Sequence, residues 1–178
     1  MRTKHAQSLV VMAHDPSMTA WGWSVLKAGK VIDRGCIKTE PKHKKLRTRK
    51  GDDTCRRISE ITQMLLEKVQ EHSVNYFLSE LPHGSQSASA AIMIGIVTGI
   101  AQTIADTLGI GIEWYSEGDS KMNALGKHSA SKDEMIQAMD TLYDVEWFGI
   151  KYKDEAVADA LAIHAIALKQ SSTLKLFR

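Results

Sequence analysis

Hydrophobic positions along this chain fall into short blocks, and their spacing alternates between two kinds. Leu9 to Ala13 is a continuous apolar run ending near Asp15-Pro16, the pattern of a strand covered on both faces. Proline there removes a ladder donor and disfavours helix in the residue before it. A second run from Trp21 breaks at Gly29, so the two pair as a hairpin. Lys30 to Lys38 (Val31, Ile32, Cys36, Ile37) closes a meander, and Glu40 to Asp53 has no apolar period and reads as a loop. From Thr54 to His72, Ile58, Ile61, Leu65 and Val69 recur at helical spacing, with Asp52 and Asp53 where carboxylates favour a helix start. Val74 to Leu81 is a fourth strand stopped by Pro82, and a long, nearly all-apolar helix runs through Ile92–Leu108. Gly109 to Trp114 alternates as a fifth strand and leads into a loop. Ser131 with Glu134 three residues on is a capping box opening a helix to Leu142. A last helix spans Lys153 to Lys169, and a short tail follows.

Strands alternating with helices predict one α/β domain over residues 1–178, a central five-stranded mixed sheet flanked by helices. In such a sheet the first and fourth strands lie side by side, which brings the strand-end acids Asp15 and Glu80 together. An unpaired carboxylate buried in so apolar a strand is costly, whereas at a solvated strand end Glu80 needs no partner. Asp159 sits among Ala, Val and Leu, a poor place for a purely structural acid, and Glu155 lies one turn back on the same face. Ser17 and Thr19 follow Asp15 in a turn whose backbone could approach a phosphate, although Asp-Pro also marks ordinary turns.

Composition narrows the class. Apolar content of 43% and charged content of 25% are those of a soluble globular protein. The net charge is only +2, but Lys38 to Arg57 carries nine Lys or Arg against three acids. Such one-signed clustering favours a nucleic-acid surface, with Lys44, Lys45, Arg47 and Arg49 as its candidates. Cys36 and Cys55 have no convincing metal-ligand spacing and fit a reducing compartment. The first residues carry no secretory pattern, and Leu81 to Ala105 is interrupted by polar and small residues, so a cytoplasmic protein without a membrane span is expected.

The strand ending in Asp15, its small-residue turn, the strand-end Glu80, the segment Lys121, Gly126, Lys132, and Ala158-Asp159-Ala-Leu-Ala162 occur in one order. Together they resemble the RuvC-type Holliday-junction resolvases of the ribonuclease-H-like nucleases, over about Val10 to Leu168. The resemblance implies a catalytic site of Asp15, Glu80, Glu155, Asp159 and Lys132. The four acids would hold two Mg²⁺ ions, with Mn²⁺ as a substitute, about 4 Å apart. Lys132 would neutralise the developing phosphorane and Lys121 would hold the DNA backbone. The partner implied is branched DNA, above all the four-way junction, cut by a homodimer joined through the helix around Ile92–Leu108.

Two departures stand out. The family's usual fourth ligand lies three residues before the aspartate, where this chain has Ala156, so Glu155 is the substitute expected. The bacterial enzymes also carry an aromatic residue after the second acid, where this chain reads Leu81-Pro-His83-Gly-Ser. Such departures also mark viral relatives, whose site of action is the host cytoplasm. A broader flap or fork nuclease, an inactive junction-binding protein and a monomeric RNA-cleaving member of the superfamily remain as alternatives.

Overall fold

The computed structural model describes residues 9–42, 48–85 and 87–177; Lys44, Lys45 and Arg47, with His43, lie outside the described residues. Strands β1 (Val10–Asp15), β2 (Ala20–Lys27), β3 (Lys30–Lys38), β4 (Tyr76–Leu81) and β5 (Gly111–Ser116) form one sheet in the order β3-β2-β1-β4-β5. The first three make an antiparallel meander, while β4 joins β1 and β5 joins β4 in parallel. The five-stranded mixed sheet flanked by helices is therefore as the sequence predicts.

Helices α1 (Lys50–His72) and α2 (Ala88–Leu108) cover one face; α3 (Glu117–Leu125), α4 (Lys132–Leu142), α5 (Lys151–Gln170) and α6 (Ser172–Leu176) belong to the other side. Period-two alternation sends Val10 and Met12 into a core with Ile61, Leu65, Val97 and Ile104. Val11, Ala13 and Leu78 go to a second core with Met135, Met139, Val157 and Leu161. Both faces of β1 are covered, which is why its sequence is an unbroken apolar run.

Helix α5 is buried almost all round from Ala156 to Ala167, as its alanine-rich sequence allows. It lies directly against the sheet at Gly22. A Cβ placed on Gly22 would stand 2.0 Å from the Ala156 carbonyl oxygen, so only glycine admits the helix this closely. Gly22 is the register partner of Asp15. The contact thus sets the height of α5 above the strand end that carries the first acid.

Four local expectations are corrected. Helix α1 begins at Lys50, so Asp52 and Asp53 lie inside its first turn, where they pair with Arg49 and Arg56. Arg57, counted in the basic stretch read as a nucleic-acid surface, is buried; it donates to the Met18 carbonyl and the Thr39 hydroxyl, each at 2.8 Å. The segment after β5 is helix α3 rather than loop. Ser116 caps it and Gly126 closes it in the left-handed conformation, and with few apolar residues it shows no helical period in the sequence. Helix α2, at 21 residues, is long and apolar enough to cross a membrane by length and composition, its isoleucines outweighing its small and polar residues. One face of α2 packs Val97, Ile100 and Ile104 into the first core. The other leaves Ile92, Gly95 and Gly99 exposed, with open space beside both glycines.

Replacing Gly22 with alanine should therefore destabilise the protein by about 1–3 kcal/mol, the cost of overpacking a close contact. Urea unfolding measures it, and an unchanged midpoint would mean that α5 is not seated there.

Candidate active site

Asp15 ends β1 and Glu80 is the penultimate residue of β4. The parallel register pairs His14 with Ser79, so the two acids stand side by side at the carboxyl edge of neighbouring strands. Each follows the alternation of the core residues before it, Val11 and Ala13 or Leu78, so both face α5. Asp159 comes from α5 and is buried. Lys132, the first residue of α4, forms an ion pair with Asp159. The predicted capping box of Ser131 and Glu134 is present and fixes the start of that helix.

Glu80 is more than nine-tenths buried and has no hydrogen-bond or ion-pair partner for its carboxylate among the described residues. Burial, then the charges of Asp15, Asp159 and Glu117, push it up to about 9 against the pull of Lys132. Burial and Asp159 push Asp15 up to about 7, with Lys132 opposing and Glu117 adding. Burial also raises Asp159, which Lys132 partly holds down. The Lys132 ammonium, which burial alone would lower, is raised by the same acids. These oxygen donors act on one another's charge at the sheet edge, with one lysine paired to Asp159. Hard divalent cations suit such a donor set, and its unanswered carboxylate fits a cation better than a neutral core.

The structure places Asp15, Glu80, Asp159 and Lys132 within reach of one another's charge. The Glu155 carboxylate lies 3.9 Å from Lys151, one turn before it. Its neighbour Asp154 is buried and accepts the Phe148 N–H at 2.8 Å, a job in the fold. Lys121 is on α3, paired with Glu117. Arg49 is engaged twice by Asp52, at 2.7 and 3.0 Å, while Arg56 pairs with Asp53 and Glu60. Ser17 is occupied in its own turn, accepting the N–H groups of Thr19 and Ala20.

Two contributors escaped the sequence reading. Arg57 ties down the turn behind Asp15, and nothing in its sequence context separates it from the exposed arginines around it. Glu117 adds its charge to Asp15, Glu80 and Asp159 alike. Its one sequence signal, an acid after a strand with a lysine four residues on, is shared by many helix starts. His164 is buried with its ring nitrogen 2.8 Å from the Tyr143 hydroxyl. A further group of possible ligands, Asp33, Glu71 and His72, lies where the C-terminal end of α1 meets β3. Lys68 stands within it, 3.1 Å from Asp33 and 2.9 Å from Glu71, so a positive charge is already in place.

Carboxylates at the ends of the first and fourth strands of a β3-β2-β1-β4-β5 sheet fit a metal-dependent nuclease of the ribonuclease-H-like fold. The comparisons narrow the class. The profile of the family described as crossover junction endodeoxyribonuclease RuvC matches residues 11–167, and the chain belongs to this family. The RuvC of Parvibaculum lavamentivorans is 25% identical over 88% of this chain and 84% of its own length. That of Ehrlichia chaffeensis is 24% identical over 89% and 97%. Among solved structures, Thermus thermophilus RuvC in complex with Holliday junction substrate superposes with a TM-score of 0.69. It is 19% identical and covers 89% of this chain and 94% of that one. The yeast mitochondrial Holliday junction resolvase Ydc2 gives 0.63 at 11% identity, covering 99% and 84%.

The raised carboxyls bind protons in the folded chain to a higher pH than in the unfolded one. Their contribution to stability is therefore fully present below about pH 4 and is lost as pH rises through about 7 and about 9. In EDTA, Asp15→Asn should melt above the parent at pH 8, by roughly 2–4 °C for each kcal/mol relieved, and level with it near pH 4. Melting at or below the parent at pH 8 would show that the cluster is not repulsive.

Proposed function

We propose that this protein is a homodimeric, Mg²⁺-dependent endonuclease that resolves four-way DNA junctions by paired phosphodiester cuts, in recombination, repair or viral DNA processing. The observation that carries the reading is the convergence of Asp15, Glu80 and Asp159 from β1, β4 and α5, in a member of the RuvC family. Mg²⁺ ions, or Mn²⁺ in their place, held by these acids supply Lewis acidity at the phosphate and a more acidic water. Hydrolysis joins the water oxygen to phosphorus and breaks the bond to the 3′ oxygen, which takes up a proton. Asp159 holds Lys132 beside the acids, where its ammonium offsets charge gathering on the phosphoryl oxygens. Lys121 with Lys44, Lys45, Arg47 and Arg49 contacts the DNA backbone, which makes binding salt-dependent. The reaction takes place where the DNA is, in the cytoplasm.

Junctions require two sites acting together, and α2 is the surface for a second copy. Gly95 and Gly99 are one turn apart on its exposed side, so a neighbouring backbone can approach closely beside Ile92. A broader flap or fork nuclease is the second reading. It is favoured by the segment after β4, Pro82-His83-Gly84-Ser85, which carries no Phe, Tyr or Trp to place at a junction centre.

The deciding experiment is cleavage of a synthetic four-way junction beside a linear duplex and a flap, in Mg²⁺ and in EDTA. Paired symmetric nicks confined to the junction are expected, and Asp15→Asn should lose cleavage at least ~10³-fold while keeping junction binding. Equal cutting of flaps would move the protein to the second reading; binding without cutting would make it an inactive binder. Gly95→Leu should turn a sedimenting dimer into a monomer at micromolar concentration, with a melting curve still cooperative. A persistent dimer would place the interface elsewhere.

A further inference from the structure

We infer that Glu117 supplies the fourth carboxylate of the metal site, from the start of α3 rather than from α5. The inference rests on the metal-site reading above. On α5, Ala156 is pressed against Gly22 with only a methyl group, and Glu155, the acid one turn before Asp159, lies 3.9 Å from Lys151.

Glu117 arrives by another route. The β4–β5 register pairs Glu80 with Tyr115 and Leu81 with Ser116. Glu117 is the next residue, so it emerges at the carboxyl edge of the sheet one strand over from Glu80. Ser116 caps the helix that begins there, fixing where Glu117 leaves the strand. Its carboxylate is paired with Lys121 through one oxygen, and the other lies 3.7 Å from His83 Nδ1. Glu80 supplies an independent sign that a ligand belongs in this space: it is more than nine-tenths buried, and its carboxylate has no donor among the described residues. Three acids and Lys132 leave a net charge of about −2 in the cluster. A fourth acid brings it to about −3 when its partner Lys121 turns to the DNA backbone, closer to what two divalent cations need before the DNA phosphate adds its own charge.

The alternative is that Glu117 only favours the α3 dipole and anchors Lys121, as acids in a first helical turn commonly do. Isothermal titration of the protein with Mn²⁺, without DNA, separates the two. Glu117→Gln should weaken Mn²⁺ binding at least ~10-fold or remove one of two binding events. Lys121→Met, which removes the partner but keeps the carboxylate, should bind Mn²⁺ as well as the parent or better, and Glu155→Gln should bind it equally. Thermal melting in EDTA verifies folding, and Glu117→Asp serves as a second variant, expected to fall between parent and glutamine. If Glu117→Gln binds like the parent while Asp15→Asn does not, Glu117 is no ligand and the metal site stands on three acids. Loss in Lys121→Met equal to that in Glu117→Gln would also overturn the inference, assigning Glu117 a structural role. If even Asp15→Asn binds Mn²⁺ like the parent, the metal-site reading itself fails.

Discussion

Mutual repulsion among buried carboxylates is the constraint around which this molecule is built. Glu80 and Asp159 are buried and Asp15 is half-buried beside them, with the Lys132 ammonium paired to Asp159. Left to themselves such groups separate or take up protons, and the upward displacement of Asp15 and Glu80 records the second tendency. The fold prevents the first. Two of the acids are fixed by a parallel strand pair whose register is locked by cores on both faces of the sheet. The third is carried by a helix seated on the sheet at Gly22, where the fit leaves no room for a side chain.

The cost of that arrangement is met by packing elsewhere. Helix α5 contributes a nearly continuous series of small and branched apolar residues to the second core, each adding a modest increment of buried area. Behind Asp15, Arg57 gathers the Met18 carbonyl and the hydroxyls of Thr19 and Thr39, which ties the β1–β2 turn to α1. His14, buried on the other face of β1, is pushed down to about 3 by its surroundings and stays neutral. The site thus rests on neutral or paired groups, and the unpaired charge is confined to the acids. This separation suits a centre that takes its compensating charge from cations and presents lysines to a phosphate.

The basic stretch shows how a one-dimensional charge count differs from a surface. Lys38, Arg49, Arg56 and Arg57 each find a partner within the fold, the last beneath the surface. Exposed pairs such as Arg49 with Asp52 are weak enough to be exchanged for phosphate contacts. Buried Arg57 is not available in that way. Helix α2 carries the converse lesson. Its composition alone would suit a lipid environment, yet one side is core and the other is a stripe of small residues open to a neighbour.

Periodicity by itself determined the strands, the main helices and their order, because buried faces impose period two or 3.6 on the residues that fill them. Acids in apolar settings marked Asp15, Glu80 and Asp159 as candidates, while Lys132 was singled out only by the resemblance to the resolvase family. Periodicity was silent on α3, whose sequence carries little apolar pattern, and it placed α1 several residues late because acids that look like caps lie within the first turn. Only the tertiary structure shows which other acids bear on these three. Glu155 shares a helical face with Asp159 and yet turns to Lys151, while Glu117, 42 positions earlier than Asp159 in the sequence, adds its charge to all three acids. Spacing along one helix is a local property, but the distance between acids on different elements follows from strand register and from how closely α5 can approach a glycine.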